Sequence, residues 1–583
     1  AHTRFSPPPQ REAIFSAMSH DFDVCVIGSG AGGGPVAYAL AEAGYSVAVL
    51  EKGPWYTRQD YYKDELACCI RNAYTPDLKE QSHVVETELD EGGWQRRETA
   101  QQTSWNLWNG NVVGGSTNFM SGYFHRLKPV DFRLLSTFGP IEGANIVDWP
   151  IDYAQLEPYY TKVERVVGVS GRVVAHPHQE PRSTPDYPYP PTAEHPLAGL
   201  IDKACEKLGV HSLPMPRAIL SRPHLDRQGC SYSGYCGSYG CATGAKGDSR
   251  SALLNQAVAG GRCKIFPGSQ VTRLLSGGSG EIVAVEYRDS SDVPRHIDAT
   301  LYVVACQAVE TSRLLLNSSG AKHPHGLANN NGQVGKNLLF AGGGAGSGRL
   351  QLADMTDDQA EAMRQVGPFI NRTIHDYYVI DDADFGARQK GGVIDFVHLH
   401  PNPIARASRQ TRGPQGLLWG KPLKRKLEEH FRASSFIKIE AFCDWLPVDD
   451  CCVTLDPVAR DKWGMPLAKA RLGFHVRNLQ VGWYLAAKGA EVLRALNAQN
   501  VVSFASGAPP LNLMAGGCRF GNDPKTSVLD ADCRAHDVDN LYITDGSFMP
   551  NAGSAPFTWT IYANAFRVAD RIIERLGGNR TQA

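Results

Sequence analysis

Gly28, Gly30 and Gly33 stand at G-x-G-x-x-G spacing, and Glu51 follows them by about twenty residues. Residues of these types in this order handle a dinucleotide. Gly28 allows a tight turn, Gly30 lets a pyrophosphate approach the backbone, and Gly33 lets a helix pack close to a strand. Glu51 would accept hydrogen bonds from an adenosine ribose. The spacing alone fits FAD and NAD equally. A second glycine turn, Gly114-Gly115-Ser116, lies in WNLWNGNVVGGSTNFMSGYF, with Asn118 just behind it. It reads either as a tight turn in a loop-rich region or as a second wall of the nucleotide site. Cys230, Cys236 and Cys241 are separated by five and four residues in the Gly/Ser/Tyr-rich stretch GCSYSGYCGSYGCATGAKGDS.

These residues need elements to hold them. Residues 24–27 and 47–50 are short apolar runs, suited to buried parallel strands, and 35–43 reads as a helix of small residues between them. A pyrophosphate would meet the free N–H groups and partial positive charge of that helix's N-terminus. The run LYVVAC (301–306) is a further strand, expected beside the first, followed by a helix over 309–316. Residues 64–71, 153–167, 197–208, 479–496 and 560–576 are expected to be helical. Residues 262–288 read as strands around a Gly-Gly-Ser-Gly turn. Residues 340–480 alternate short strands with polar stretches, as in an antiparallel sheet. The Pro-rich tract 176–196 reads as an exposed linker or long surface loop.

The chain has 583 residues, 42% hydrophobic and 20% charged, with a net charge of −1. Its length implies two domains or one large composite. Its net charge gives no sign of a nucleic-acid or anionic-membrane partner. No apolar run reaches the roughly 18–20 residues of a membrane span. The N-terminal stretch has no signal-peptide h-region, and location stays open between periplasm and cytoplasm. Fourteen cysteines are many for a cytosolic enzyme and sparse for a disulfide scaffold. Spacing does not explain the adjacent pairs Cys68–Cys69 and Cys451–Cys452, while Cys25 reads as a buried small hydrophobe.

In combination the motifs resemble the glucose-methanol-choline (GMC) family of FAD oxidoreductases. Four blocks carry the resemblance: GSGAGG (28–33) with Glu51, GNVVGGST (110–117), LYVVACQAVETSRLLL (301–316), and CRFGNDPKTSVLD with NLYITDGSFMP (518–550). The resemblance implies FAD as cofactor and oxidation of an alcohol or sugar by hydride transfer to the flavin. It places Gly114, Gly115, Ser116 and Asn118 at the flavin. Asp545 and Gly546 fall near the pyrophosphate, and the Val271 backbone faces the adenine. Gln307 stands where a glycine is usual. The three-cysteine segment is similar to the flavoprotein subunits of gluconate-type and sugar dehydrogenases. That likeness implies a [3Fe–4S] cluster on Cys230, Cys236 and Cys241 and a cytochrome or other electron-acceptor subunit as partner. Three thiolates suit such a cluster, because [2Fe–2S] and [4Fe–4S] clusters usually take four ligands. Three buried or disulfide-bonded cysteines are the other reading.

One departure matters. The family's proton-abstracting His belongs at Leu513 and its His or Asn partner at Pro556, and neither residue can accept a proton. Relocated candidates are His125 and His475 as base, with Asn512 and Asn551 to orient a hydroxyl. The expected fold is α/β. A discontinuous FAD-binding Rossmann-like domain comprises 21–150, 225–345 and 510–583 after an N-terminal extension (1–20). A second α+β substrate domain on an antiparallel sheet comprises mainly 151–224 and 346–509. The expected function is an FAD dehydrogenase oxidising a CH–OH group, with electrons leaving through the cluster. Two alternatives stand beside it. One is flavin chemistry on an apolar, non-alcohol substrate (desaturation, lyase-like or radical), and the other is a non-catalytic FAD-binding subunit.

Overall fold

The computed structural model describes residues 20–61, 63, 65, 82–99, 107, 109–237, 239–365, 369–386, 388–399, 402–509 and 513–580. In chain order, the elements that position the site begin with β1 (Phe22–Ile27), α1 (Gly33–Glu42), β2 (Val47–Glu51) and α2 (Pro196–Leu208). Next come β3 (Cys263–Pro267), β4 (Ala299–Val304), α3 (Ala308–Asn317), β5 (Gly344–Gln351), β6 (Gly392–His398) and β7 (Ser434–Asp444). The last are α4 (Val476–Ala495), β8 (Gln499–Ala505), β9 (Leu541–Ile543) and α5 (Thr558–Arg575).

Five strands form a parallel sheet in the order β9-β4-β1-β2-β3. The apolar runs explain this arrangement. Val24, Cys25 and Val26 of β1, Val47 to Val49 of β2 and Tyr302 to Val304 of β4 have no exposed surface, as strands covered on both faces require. Helices α1 and α5 lie against one another, and α5 buries Trp559, Tyr562 and Phe566 completely. The register pairs Ile27 with Val304 and Leu50, so the three strand ends reach the glycine turn together.

A second, antiparallel sheet runs β8-β5-β7-β6 and continues into the short strands Arg372–Ile374 and Leu213–Pro214. Strand β7 alternates strictly: Ile437, Ile439, Ala441 and Cys443 are buried, whereas Phe436, Lys438, Glu440 and Phe442 are half-buried. Its buried face packs on α4, whose Leu485, Ala490 and Leu493 join the same cluster.

Several expectations are corrected. Residues 340–480 also contain helices, such as Asp357–Gln365 and Gly420–Glu428. The helix from Tyr153 ends at Val163 and passes into a wider turn over Glu164–Gly168. The Pro-rich tract is no exposed linker. Glu180, Tyr189, Thr192 and His195 in it are buried, anchored by the Lys128–Glu180 ion pair at 3.0 Å and by His195 capping α2. The adjacent pair Cys451 and Cys452 sits on one strand, which turns Cys451 inward and leaves Cys452 half-buried. Apart from Glu65, the expected helix over 64–71 lies outside the described residues, as do the pair Cys68–Cys69 and most of the N-terminal extension. No described helix is long and apolar enough to cross a membrane.

Candidate active site

One cavity of about 530 Å³ runs from the C-terminal ends of the parallel strands to the polar face of the antiparallel sheet. Gly28, Gly30, Ala31 and Gly32 line it at the start of α1. Gly28 has φ +96°, and a side chain there would meet the Ala305 carbonyl oxygen at 2.3 Å. A Cβ on Gly33 would stand 1.9 Å from the Gly28 carbonyl oxygen, which makes this the close packing that its spacing predicted. Gly30 differs from both. A Cβ there finds nothing nearer than 3.9 Å, which leaves its backbone open to a bound molecule.

Glu51 lines the cavity at the end of β2. Its carboxylate accepts from Ser29 N (3.2 Å), Ser29 Oγ (2.5 Å) and Gly53 N (2.9 Å). Burial pushes this carboxyl up, and the same hydrogen bonds act against the shift. Ser29 Oγ in turn accepts from Gly114 N at 2.9 Å, which ties the two glycine turns together. A Cβ on Gly115 would lie 3.1 Å from the Gly30 Cα. Gly115 and Ser116 line the cavity, Ser116 Oγ accepting from Gly110 N at 2.9 Å.

Asn118 is fully engaged within the protein. Its Nδ2 donates to the Val113 and Gly115 carbonyls, and its Oδ1 accepts from Tyr61 OH at 2.8 Å. It lies behind the cavity wall and shapes the turn. Val271, flanked by Gln270 and Thr272, also lines the cavity, two residues after Ser269, whose N–H donates to the Glu51 carbonyl at 2.8 Å. Asp545 and Gly546 line the floor, where Asp545 accepts from Gln307 N, Thr311 Oγ1 and Ser547 N. Asn111 Oδ1 is buried on the cavity wall without a hydrogen-bond partner. That orphaned acceptor, the open Gly30 backbone and the helix N-terminus fit a ligand with donor groups and a pyrophosphate, and so fit FAD.

The relocated bases do not reach the cavity. His125 is buried with Nε2 3.2 Å from Asp395 Oδ2. His475 caps α4 through Arg477 N and lies 2.9 Å from the Glu142 carbonyl oxygen. Asn551 has no exposed surface, accepts from Trp149 Nε1 and donates to the Asp131 carbonyl. Asn512 lies outside the described residues. Leu513 and Pro556 do line the cavity, at the positions where the motif match put them.

On β7 the cavity is lined by Lys438 and Glu440, paired at 2.6 Å, beside Tyr123, while Lys52, Glu310, Arg313 and Asp461 line it elsewhere. Burial, reinforced by the Glu440 charge, pushes the Tyr123 phenol up, so it stays protonated and can donate. Sequence reasoning passed over this pair. The signal was present in FIKIEAF, where Lys438 and Glu440 share one face of a strand whose other face is apolar.

Cys230, Cys236 and Cys241 pack against one apolar patch with Ile219, Leu220 and Phe369. All three are half-buried free thiols. Cys230 accepts from Tyr232 N at 3.4 Å, and Cys241 lies 3.3 Å from Thr243 Oγ1. Burial pushes the Cys230 thiol up to about 11. At Cys241 burial acts the same way, but Lys246 and Thr243 more than offset it and hold the thiol below its ordinary value. The three thiols share this patch, with an N–H at the Cys230 sulfur and an O–H at the Cys241 sulfur, groups of the kind that surround cluster-binding thiolates.

Comparison with known proteins agrees with this geometry. Models of the GMC oxidoreductase N-terminal and C-terminal regions match residues 42–340 and 447–565, and an FAD binding domain model matches 23–57. The chain is 32% identical to a 2-methyl-1,2-propanediol dehydrogenase of Mycolicibacterium austroafricanum, over 95% of each chain. It is 31% identical to a 6'''-hydroxyparomomycin C oxidase of Streptomyces lividus, over 96% of this chain and 92% of the relative. Among solved structures, a formate oxidase of Aspergillus oryzae RIB40 superposes with a TM-score of 0.60 at 15% identity, covering 95% of this chain and 98% of that one.

Proposed function

The chain belongs to the GMC oxidoreductase family, and from that premise we propose that it is a flavin dehydrogenase of hydroxyl-bearing, sugar-like or alcohol substrates. One observation carries the reading. A single cavity joins the glycine cradle of α1 to a polar wall on β7, so that cofactor and substrate would share one space. Gly28 to Gly32, Glu51, Gly115, Ser116, Val271 and Asp545 would hold FAD, which supplies the hydride acceptor. The relatives named a 2-methyl-1,2-propanediol dehydrogenase and a 6'''-hydroxyparomomycin C oxidase each act, by name, on a hydroxyl-bearing molecule, which supports this substrate class.

With Leu513 and Pro556 unable to take a proton, Glu440, on the β7 wall of the cavity, would accept the substrate hydroxyl proton. Lys438, at 2.6 Å, orients it. Tyr123 donates a hydrogen bond to the substrate oxygen. Cys230, Cys236 and Cys241 would hold a [3Fe–4S] cluster that supplies one-electron exit to an acceptor subunit. The apolar Leu513 and Pro556 surface favours a second reading, flavin chemistry on an apolar substrate that needs no strong base.

The test is an anaerobic visible spectrum with iron and acid-labile sulfide assays, followed by addition of diols, sugars and aminoglycosides. The expected result is about three irons per chain and bleaching of the flavin by at least one hydroxylated substrate. Glu440→Gln should slow that bleaching about 10²–10⁴-fold with flavin content unchanged. Flavin without iron removes the cluster exit. An unaltered rate in Glu440→Gln removes the base assignment.

A further inference from the structure

The excursion between β6 and β7 is unlike the rest of the surface. Between Asp395 and Glu428 the chain carries seven Lys and Arg residues and no Asp or Glu, in a protein whose net charge is −1. It folds as a helix (Pro403–Arg409), a small hairpin (Arg412–Gly413 with Gly416–Leu417) and a helix (Gly420–Glu428) that runs into a turn over Glu429–Ala433. None of the described residues 402–433 is buried. Internal bonds order it: Lys426 Nζ donates to the Arg412 carbonyl at 2.7 Å, and Arg406 lies 5.0 Å above the Phe431 ring. Glu65 caps the first helix by accepting from Ile404 N and Ala405 N at 2.6 and 2.8 Å.

The excursion holds large apolar side chains out in solvent. Leu417, at the open end of the hairpin, and Trp419, which leads into the second helix, are 73% and 77% exposed, and Ile404 is 51% exposed. Lys421, Lys424 and Arg425 follow on the second helix, all exposed, with Lys424 4.0 Å from Glu428. Exposed Trp and Leu beside a predominantly basic helix are the pattern of a segment that lies in a membrane interface. Trp and Leu enter the headgroup–acyl boundary while Lys and Arg meet anionic headgroups. A protein partner fits less well, because protein interfaces are depleted in Lys, whereas this patch carries three lysines and its only acids, Glu428 and Glu429, stand where the second helix passes into the turn, paired with Lys424 and Arg349.

We propose that this excursion docks the protein peripherally on an anionic phospholipid surface. Whole-chain net charge conceals such a patch because acidic residues elsewhere cancel it. The site is independent of the cavity and of the thiol trio.

Co-sedimentation of the full-length flavoprotein with vesicles tests it. Vesicles of phosphatidylcholine containing about 30% phosphatidylglycerol should bind at least about tenfold more protein than pure phosphatidylcholine vesicles. Raising the salt from about 0.1 M to about 0.5 M should abolish most of that difference. The charge-reversed variant Lys421→Glu/Lys424→Glu/Arg425→Glu should stay in the supernatant. Leu417→Ala/Trp419→Ala should bind about tenfold more weakly even at low salt. Unchanged flavin content and thermal midpoint show that the variants are folded. Equal binding to both vesicle types, or undiminished binding of the charge-reversed variant, overturns the proposal. So does indifference to vesicles combined with salt-sensitive binding to an acidic protein, for which plant-type ferredoxin is the probe; that result would assign the patch to a protein partner.

Discussion

Gln307 shows what one residue can carry at the edge of the cavity. It follows β4 with φ +78° and ψ 147°, in a region that favours glycine. The position is kept because the side chain is useful there: Oε1 accepts from Val309 N at 3.0 Å and caps α3, while the backbone N–H donates to Asp545. Gln307→Ala keeps the strained backbone and loses the cap, and should cost about 1–2 kcal/mol. Gln307→Gly loses the cap but relieves the backbone, and should match or exceed the natural protein. Urea midpoints of the three proteins check this order; a Gly variant less stable than the Ala variant would contradict it. Glu51 teaches the complementary lesson. Its place in the fingerprint was legible, but its engagement with Ser29 and Gly53, which locks the two glycine turns together, was not.

At the scale of elements, α2 and β6 meet through two neutral histidines. His195 caps α2, and its ring lies 4.4 Å from that of His398 at the end of β6. Burial holds His195 down to about 4 and His398 down to about 3, the neighbouring imidazole adding to the effect at His398. The folded pKa of each lies below its unfolded value, so the unfolded chain binds more protons between about pH 6.5 and pH 4. The stability these residues contribute is complete above about pH 6.5 and falls as the pH drops through that window. At pH 5.5 the loss should be about 1 kcal/mol per histidine. Urea denaturation at pH 7.5 and pH 5.5 measures it, and His398→Phe should lose less stability on acidification than the natural protein. Equal losses would show that this contact does not sense the pH.

Across the whole molecule, four segments distant in sequence meet at one buried charge cluster. Lys390 Nζ donates to Asp131, to Asp444 at 3.2 Å and to Ser554, and Tyr378 OH donates to Asp131. None of these side chains has appreciable exposure. Lys390→Ala leaves two carboxylates buried without their cation and should destabilise the protein by about 3–5 kcal/mol. Lys390→Met combined with Asp444→Asn removes charge on both sides and should recover part of that loss. Thermal midpoints and flavin retention report both, and an unperturbed Lys390→Ala protein would show that water relieves the cluster.

Local order determined much of this protein. The parallel sheet, its glycine turn and the helices that follow were legible in apolar runs and glycines, because each is built from residues close in sequence whose period is set by strand or helix geometry. The β7 alternation was equally visible, although nothing in the sequence said what its polar face would meet. Which side chains share the cavity was a tertiary decision. His125, His475 and Asn551 are chemically able but are spent on Asp395, a helix cap and Trp149, whereas Lys438 and Glu440 come from a strand far along the chain. Cavity membership depends on how sheets stack and strands register across hundreds of residues. That is fixed by buried packing of the whole chain, which residue type and spacing do not encode.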